Sequence, residues 1–289
     1  MTTVGIVGLG IMGGAIARNL LAAGFAVRGY DIDAPRFAAL RPGGVAARSA
    51  GEAAQGTDVV LTSLPSIKAL DETVASLLAA KVSGLVVAEL STLPIEAKEK
   101  ARAALARGGI TLLDCPLSGT GAQAVTRDLA VYASGERAAY DRAEPAFRGF
   151  ARATHYLGEF GNGSKMKFIA NLLVAVHNVA SAEAMVLGTK AGLDPDSIVK
   201  VIASGAGNSR VFELRAPLMA KGDYAPTMKI DIWQKDMAII ADFAKALGVP
   251  LPTFAASAPI YDAAQASGFG GEDTAAVAKV LAARAKPAK

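Results

Sequence analysis

Short apolar runs at residues 4–8, 25–31, 58–63, 85–90 and 110–114 are rich in Val, Ile and Leu, the pattern of strands buried in a sheet. Between them, residues 11–23, 34–40, 67–79 and 95–107 repeat apolar positions at helical spacing. Strands alternating with helices predict a parallel sheet covered on both faces, the α/β doubly wound architecture of a Rossmann-type domain. A strand pattern at 129–134, a helix over 137–150 and a strand at 154–157 are expected to extend the same sheet. After Gly161 the period changes. Residues 164–191 carry one long helical pattern closed by Gly192, about 42 Å at ~1.5 Å per residue. Asp194-Pro195 joins an N-cap to a first-turn proline and opens another helix. Residues 231–247 form a helix stopped by Gly248 and Pro250, and 272–285 form the last one before a frayed tail at 286–289. No strand period intervenes, so this half is expected to be all-helical.

Length agrees with that division. The 289 residues suggest two domains at about 150 residues each: 1–161 for dinucleotide binding, and 162–289, all-helical, for substrate and self-association. Hydrophobic residues make up 52% and charged residues 19%, enough apolar surface for a sizeable core. The net charge of +4 is scattered, without the dense basic stripe of a nucleic-acid groove. One cysteine, Cys115, and two distant histidines, His155 and His177, exclude a disulfide and argue against a metal site. The opening stretch lacks the basic leader of a signal peptide, and the apolar run 168–187 is broken by Asn171, His177, Asn178 and Glu183. A cytoplasmic protein that avoids membranes is expected.

Gly8-Leu9-Gly10-Ile11-Met12-Gly13 follows the first strand and opens a helix, the context in which GxGxxG binds a dinucleotide. The glycines allow a tight turn, a close approach to pyrophosphate and close helix packing. The free N–H groups of the helix then face the phosphate charge. Asp31 ends the second strand, where a carboxylate accepts the ribose hydroxyls and repels a 2′-phosphate. NAD is therefore favoured, with NADP the second option because Arg36 lies near. Asp31 can equally be read as a cap on the following turn.

The fingerprint from Gly8 to Leu20 resembles the opening of the β-hydroxyacid dehydrogenase family, as do three further stretches in order. These are Asp114-Cys-Pro-Leu-Ser-Gly-Thr-Gly-Ala122, Gly158-Glu-Phe-Gly-Asn-Gly-Ser-Lys-Met-Lys167-Phe-Ile-Ala-Asn171 and Lys235-Asp236. From Gly205 onward the chain is most similar to the L-threonate-oxidising members. The resemblance implies a dehydrogenase of small hydroxycarboxylic acids, of three to five carbons, of the L-threonate or 3-hydroxyisobutyrate kind. It makes Lys167 the general acid/base and Asn171 a hydrogen-bonder to substrate. Ser118, Gly119 and Thr120 become a backbone cradle for the substrate carboxylate. Lys235 is placed beside the nicotinamide, and Leu64, Pro65, Ser91 and Thr92 at the strand-end loops that touch the cofactor.

The residues support that transfer in part. Lys167 and Asn171 lie four apart and share one helix face, with Val174 and Asn178 continuing the stripe. Met166, Ile169, Leu173, Val176 and Ala180 lie on another side as packing positions. The helix begins where the nucleotide domain ends, so its first turns are expected to face an interdomain cleft. A lysine can take or return a hydroxyl proton when desolvation and a positive nicotinamide lower its pKa. Lys235 also fits a plain ion pair with Asp231. Cys115 is a packing residue rather than a nucleophile on this reading. Thr120 stands where the family carries a second glycine, and Thr126-Arg127-Asp128 replaces a glycine-bearing segment, which leaves the substrate open. Alternative readings are an NAD(P)H-dependent imine reductase and a non-catalytic binding protein on the same fold. The long small-residue helix predicts a homodimer or homotetramer built through the helical half.

Overall fold

A computed structural model describes residues 2–285, so the tail expected at 286–289 lies outside the described residues. The chain divides into two compact units, one ending at Lys167 and the other starting at Phe168. In the first unit the elements run β1 (Thr3–Val7), α1 (Ile11–Ala22), β2 (Ala26–Tyr30), a 3₁₀ helix (Ala34–Leu40), β3 (Val45–Ala46) and α2 (Ala50–Ala54). They continue with β4 (Val59–Thr62), α3 (Ile67–Ala79), β5 (Val86–Glu89), α4 (Ile95–Ala106) and β6 (Thr111–Asp114). Next come β7 (Leu117–Ser118), α5 (Gly121–Val125), β8 (Ala130–Ala133), α6 (Arg137–Phe150) and β9 (Ala153–Tyr156).

Strands β1 to β6 form one parallel sheet in the order β3-β2-β1-β4-β5-β6, the doubly wound arrangement of a dinucleotide-binding domain. β4 and β5 are buried along their whole length, which is why they read as unbroken apolar runs. Neighbouring residues part to opposite faces. Val59 and Leu61 of β4 enter one core with Val4, Ile6, Leu20 and Phe147, while Val60 enters a second with Val7, Leu77 and Leu105.

The strands expected at 129–134 and 154–157 do not extend this sheet. They form a separate three-stranded sheet in the order β7-β8-β9, with β8 antiparallel to β7 and parallel to β9. β8 meets β6 through an isolated antiparallel bridge, Asp114↔Ser134. Beyond Asp114 the chain turns through Pro116, which has no N–H to continue a ladder and instead accepts the Tyr132 N–H at 3.0 Å. The segment 34–40 is likewise a 3₁₀ helix rather than an α-helix.

The second unit is all-helical. α7 (Asn162–Lys190) begins in the first unit and runs into the second, followed by α8 (Pro195–Ala203), α9 (Arg210–Lys221), α10 (Ile230–Ala246), α11 (Pro252–Ala264) and α12 (Val277–Arg284). Asp194 caps α8 by accepting the Ser197 N–H at 2.8 Å, with Pro195 in the first turn. α12 starts later than expected. Asp273, not Glu272, caps a short 3₁₀ turn at Thr274–Ala276 ahead of it, and Glu272 pairs with Lys279 at 2.9 Å.

α7 is long and apolar enough, by length and composition, to cross a membrane. Within its unit it packs as a core helix. Ala175, Val179, Ala182 and Met185 are buried, and Asn178 Nδ2 donates to Tyr261 Oη and to the Thr274 carbonyl, both at 2.9 Å. Asn178 is thus a core pin, not a continuation of a site. The stripe expected to be packing differs: Met166, Ile169 and Leu173 are 40–54% exposed, and Ala180 is exposed as well.

Candidate active site

The order of the main sheet reverses between β1 and β4, and the crevice beyond their carboxyl ends is where such sheets bind ligands. Gly8 leaves β1 with φ +90, a conformation that favours glycine. A Cβ there would collide with the Ser63 carbonyl at the end of β4, and one on Gly13 would collide with the Gly8 carbonyl. Gly10 is different. The nearest atom to a Cβ at Gly10 is Arg36 Nη1, at 3.5 Å, so a side chain there would meet no backbone of the unit. Gly10 is also the N-cap of α1 and supplies no side-chain cap, leaving first-turn N–H groups to meet an anion.

The two glycines should therefore fail differently. Gly13→Ala is expected to destabilise the unit, because its Cβ has no room. Gly10→Ala should keep a near-normal melting temperature yet raise the NAD Kd roughly tenfold or more, equivalent to about 1.4 kcal/mol. Calorimetric titration beside thermal melts checks both.

Asp31 is buried just beyond β2. Its Oδ2 accepts the Leu9 N–H at 2.7 Å and Oδ1 the Asp33 N–H at 2.9 Å. It therefore closes the glycine loop and caps the following turn together. Arg36 Nη1 approaches the same carboxylate at 3.4 Å while remaining half exposed, the neighbour that softens a preference for NAD. Leu64, Pro65, Ser91 and Thr92 follow β4 and β5. Leu64 N–H donates to Ser91 Oγ at 2.7 Å, which ties the two loops together.

The segment after β6 carries Ser118, Gly119 and Thr120, all half-buried. Thr120 is the N-cap of α5, and its N–H donates to Gln123 Oε1 at 3.0 Å in a capping-box arrangement. One of the three expected cradle donors is therefore already engaged, and the extra side chain relative to a Ser-Gly-Gly loop serves the helix start. Gln123 Nε2 reaches Asp128 Oδ2 at 3.1 Å, and Arg152 Nε holds Asp128 at 2.8 Å. Arg127, in the segment Thr126-Arg127-Asp128, takes φ +61. Cys115 is completely buried, and burial together with the Asp114 charge pushes its thiol well above the ordinary range. It is no nucleophile. His155 lies exposed in β9 against Tyr132, ring centroids 6.1 Å apart.

On α7, Lys167 and Asn171 are one turn apart and both buried, 8% and 4% exposed. Asn171 Nδ2 donates to Asp236 Oδ2 at 2.9 Å, and Lys235 Nζ lies 3.5 Å from Asp236 Oδ1. Asp236 thus fixes the Asn171 amide, a role that its place in the Lys-Asp pair did not reveal. Asp231 takes Gln265 Nε2 at 2.8 Å. Sequence reasoning also missed Glu89, Lys98 and Ser164, buried around Asp114. Among the described residues no group of three His, Cys, Asp or Glu side chains is placed to hold a metal ion.

Residues 3–158 match the family described as the NAD binding domain of 6-phosphogluconate dehydrogenase. Residues 161–281 match that described as NAD-binding of NADP-dependent 3-hydroxyisobutyrate dehydrogenase. The chain is 38% identical to the L-threonate dehydrogenase of Cupriavidus necator, over 99% of this chain and 98% of that protein. A crystal structure of 3-hydroxyisobutyrate dehydrogenase from Salmonella typhimurium superposes with a TM-score of 0.88 at 35% identity, covering 97% of this chain and all of the other. An imine reductase from Pseudomonas shares the fold alone, with a TM-score of 0.66 at 21% identity over 97% of this chain and 99% of that one. The glycine loop, the matched residues and the full-length relatives together show that the chain belongs to the β-hydroxyacid dehydrogenase family of NAD(P)-dependent oxidoreductases.

Proposed function

We propose that the chain oxidises a small hydroxycarboxylic acid with NAD in preference to NADP. A four-carbon sugar acid of the L-threonate type is the first substrate, and a 3-hydroxyisobutyrate-like acid the second. The observation that carries this reading is the buried pair Lys167 and Asn171 on one face of α7, with Asp236 orienting the asparagine amide. A surface lysine needs no explanation, but a buried one costs desolvation and invites a chemical role.

Gly8, Leu9, Gly10, Ile11, Met12 and Gly13 hold the pyrophosphate on this reading, Asp31 the ribose, and Leu64, Pro65, Ser91 and Thr92 the rest of the dinucleotide. Lys235 stands beside the nicotinamide. When bound, the dinucleotide supplies the hydride acceptor for oxidation and the hydride donor for reduction. Lys167 accepts the substrate hydroxyl proton during oxidation and returns it during reduction. Asn171 donates to the substrate, and Ser118, Gly119 and the Thr120 region receive its carboxylate. The reaction is placed in the cytoplasm.

Initial rates of NADH formation at 340 nm, with L-threonate, D-glycerate, 3-hydroxyisobutyrate and their stereoisomers, test the reading. L-Threonate with NAD should give the highest kcat/KM. Reduction of a cyclic imine without any hydroxy-acid turnover would contradict it, as would NAD binding with no turnover at all.

We further propose that the chain works as a homodimer or homotetramer through the exposed stripe Met166, Ile169, Leu173 and Ala180 of α7, since apolar surface in a row marks an association face. Light scattering at micromolar concentration should give twice or four times the chain mass, and Leu173→Glu should lower it. A monomeric wild type would overturn this.

A further inference from the structure

The ends of β5, β6 and β8 and the starts of α4 and α7 meet around one ammonium group. Lys98 of α4, Glu89 of β5 and Asp114 of β6 are completely buried. Lys98 Nζ lies 2.7 Å from Glu89 Oε2 and 2.8 Å from Asp114 Oδ1, and donates to the Ser91 carbonyl at 2.7 Å. Two of its donors bond to Asp114 and to Ser91, and the Glu89 carboxylate lies beside it as an ion pair.

One cation faces two carboxylates, so the cluster carries surplus negative charge. That surplus is met by the start of α7, the positive end of the helix dipole. Ser164 N–H and Ser164 Oγ donate to Asp114 Oδ2 and Oδ1, both at 2.7 Å. Gly163 N–H donates to Ser134 Oγ at 2.9 Å, and that hydroxyl lies 3.2 Å from Asp114 Oδ2. A Cβ on Gly163 would stand 2.7 Å from the Asp114 carbonyl, so the helix start is seated against this residue. Lys167 follows Ser164 by one turn. On the other side, Glu89 Oε1 accepts the Ser91 N–H at 2.9 Å, and Ser91 Oγ accepts the Leu64 N–H at 2.7 Å.

We infer that Lys98, Glu89 and Asp114 are positioning residues that hold the start of α7, and with it Lys167, in register with the cofactor-side loops at Leu64 and Ser91. The inference rests on the reading of Lys167, Leu64 and Ser91 given above. Buried ion clusters contribute little net stability relative to apolar packing. What this cluster adds is geometric: the carboxylates accept directed N–H bonds from two separate parts of the site, and the ammonium joins them. A displacement of about 1 Å at a reacting group can cost roughly 10²-fold in rate.

The two carboxylates should therefore separate by readout. Asp114→Asn, which replaces an acceptor at the α7 start with a donor, is expected to lower kcat by roughly 10²-fold while the NAD Kd stays within about twofold. Glu89→Gln is expected to act chiefly on NAD, raising Kd roughly tenfold. Ser164→Ala keeps the backbone bond and loses only the hydroxyl, a milder kcat loss that Ser164→Thr restores. It serves if Asp114→Asn does not fold. Amide hydrogen exchange at the first turn of α7 should quicken in Asp114→Asn and Ser164→Ala, a readout independent of turnover. Folded variants with kcat within twofold of wild type, or with kcat and NAD affinity lowered in equal proportion, would overturn the inference. Lys167→Met run in parallel separates the two failures. An active Lys167→Met sinks the acid/base assignment, whereas an inactive one beside a fully active Asp114→Asn sinks only the positioning role.

Discussion

Lys167→Met lowers kcat by roughly 10²–10⁴-fold, the range lost with a general acid/base, and leaves the NAD Kd unchanged. Methionine keeps the length and apolar stem of lysine, so the buried position still packs and only the proton carrier is removed. The glycine loop, Asp31 and the Ser91–Leu64 bond lie elsewhere, which is why affinity should survive. Stopped-flow traces and calorimetric titration of the variant give the two numbers. A variant with near-normal turnover would mean that another group moves the proton.

The largest effect on stability is expected at Lys98. Lys98→Met strands two carboxylates with no exposure to water. Breaking a buried ion cluster by removing one partner costs about 3–5 kcal/mol, which for a unit of this size is roughly 6–20 °C in Tm. The same cluster sets a pH dependence. In the wild type, burial pulls the Lys98 ammonium towards its neutral form, but the charges of Asp114 and Glu89 outweigh this and raise its pKa above the ordinary value. A raised folded-state value means that the stabilisation is complete below the unfolded lysine pKa and is lost only in strong alkali. Thermal melts of the variant beside wild type check the loss. A variant that melts within about 2 °C of wild type at neutral pH would show that the carboxylates find other partners.

Much of this arrangement was legible in the residues because it is local. Buried parallel strands impose unbroken runs such as Val86–Glu89, and the strand–GxGxxG–helix unit carries its chemistry within a few positions. Asp31 reads correctly as a cap, since its Oδ1 accepts the Asp33 N–H two residues on, while the bond from the Leu9 N–H joins two distant positions and could not be read. What failed was non-local. β8 and β9 have strand patterns, but nothing in them states which edge they join, and Pro116 directs the chain into a second sheet. α9 and α11 carry the interior prolines Pro217 and Pro259, which weaken a helical reading of short segments. Lys98 sits among Glu96, Glu99 and Lys100 and looks like one more charge on a solvated helix. Only the strand ends that it faces, Glu89 and Asp114, distinguish it, and their meeting depends on the fold. Met166, Ile169 and Leu173 show the reverse error, since helical spacing gives a common face but not what that face meets.

The proposed reaction is direct hydride transfer from the carbinol carbon of a small hydroxy acid. The measurement that tests this most directly uses L-threonate deuterated at the carbon that bears the oxidised hydroxyl, with NAD and the purified chain, and mass analysis of the dinucleotide. NADH that carries the deuterium is expected, formed at a rate slowed by the heavier isotope. Unlabelled NADH with the deuterium released to water, or no NADH from any hydroxy acid offered, would contradict it.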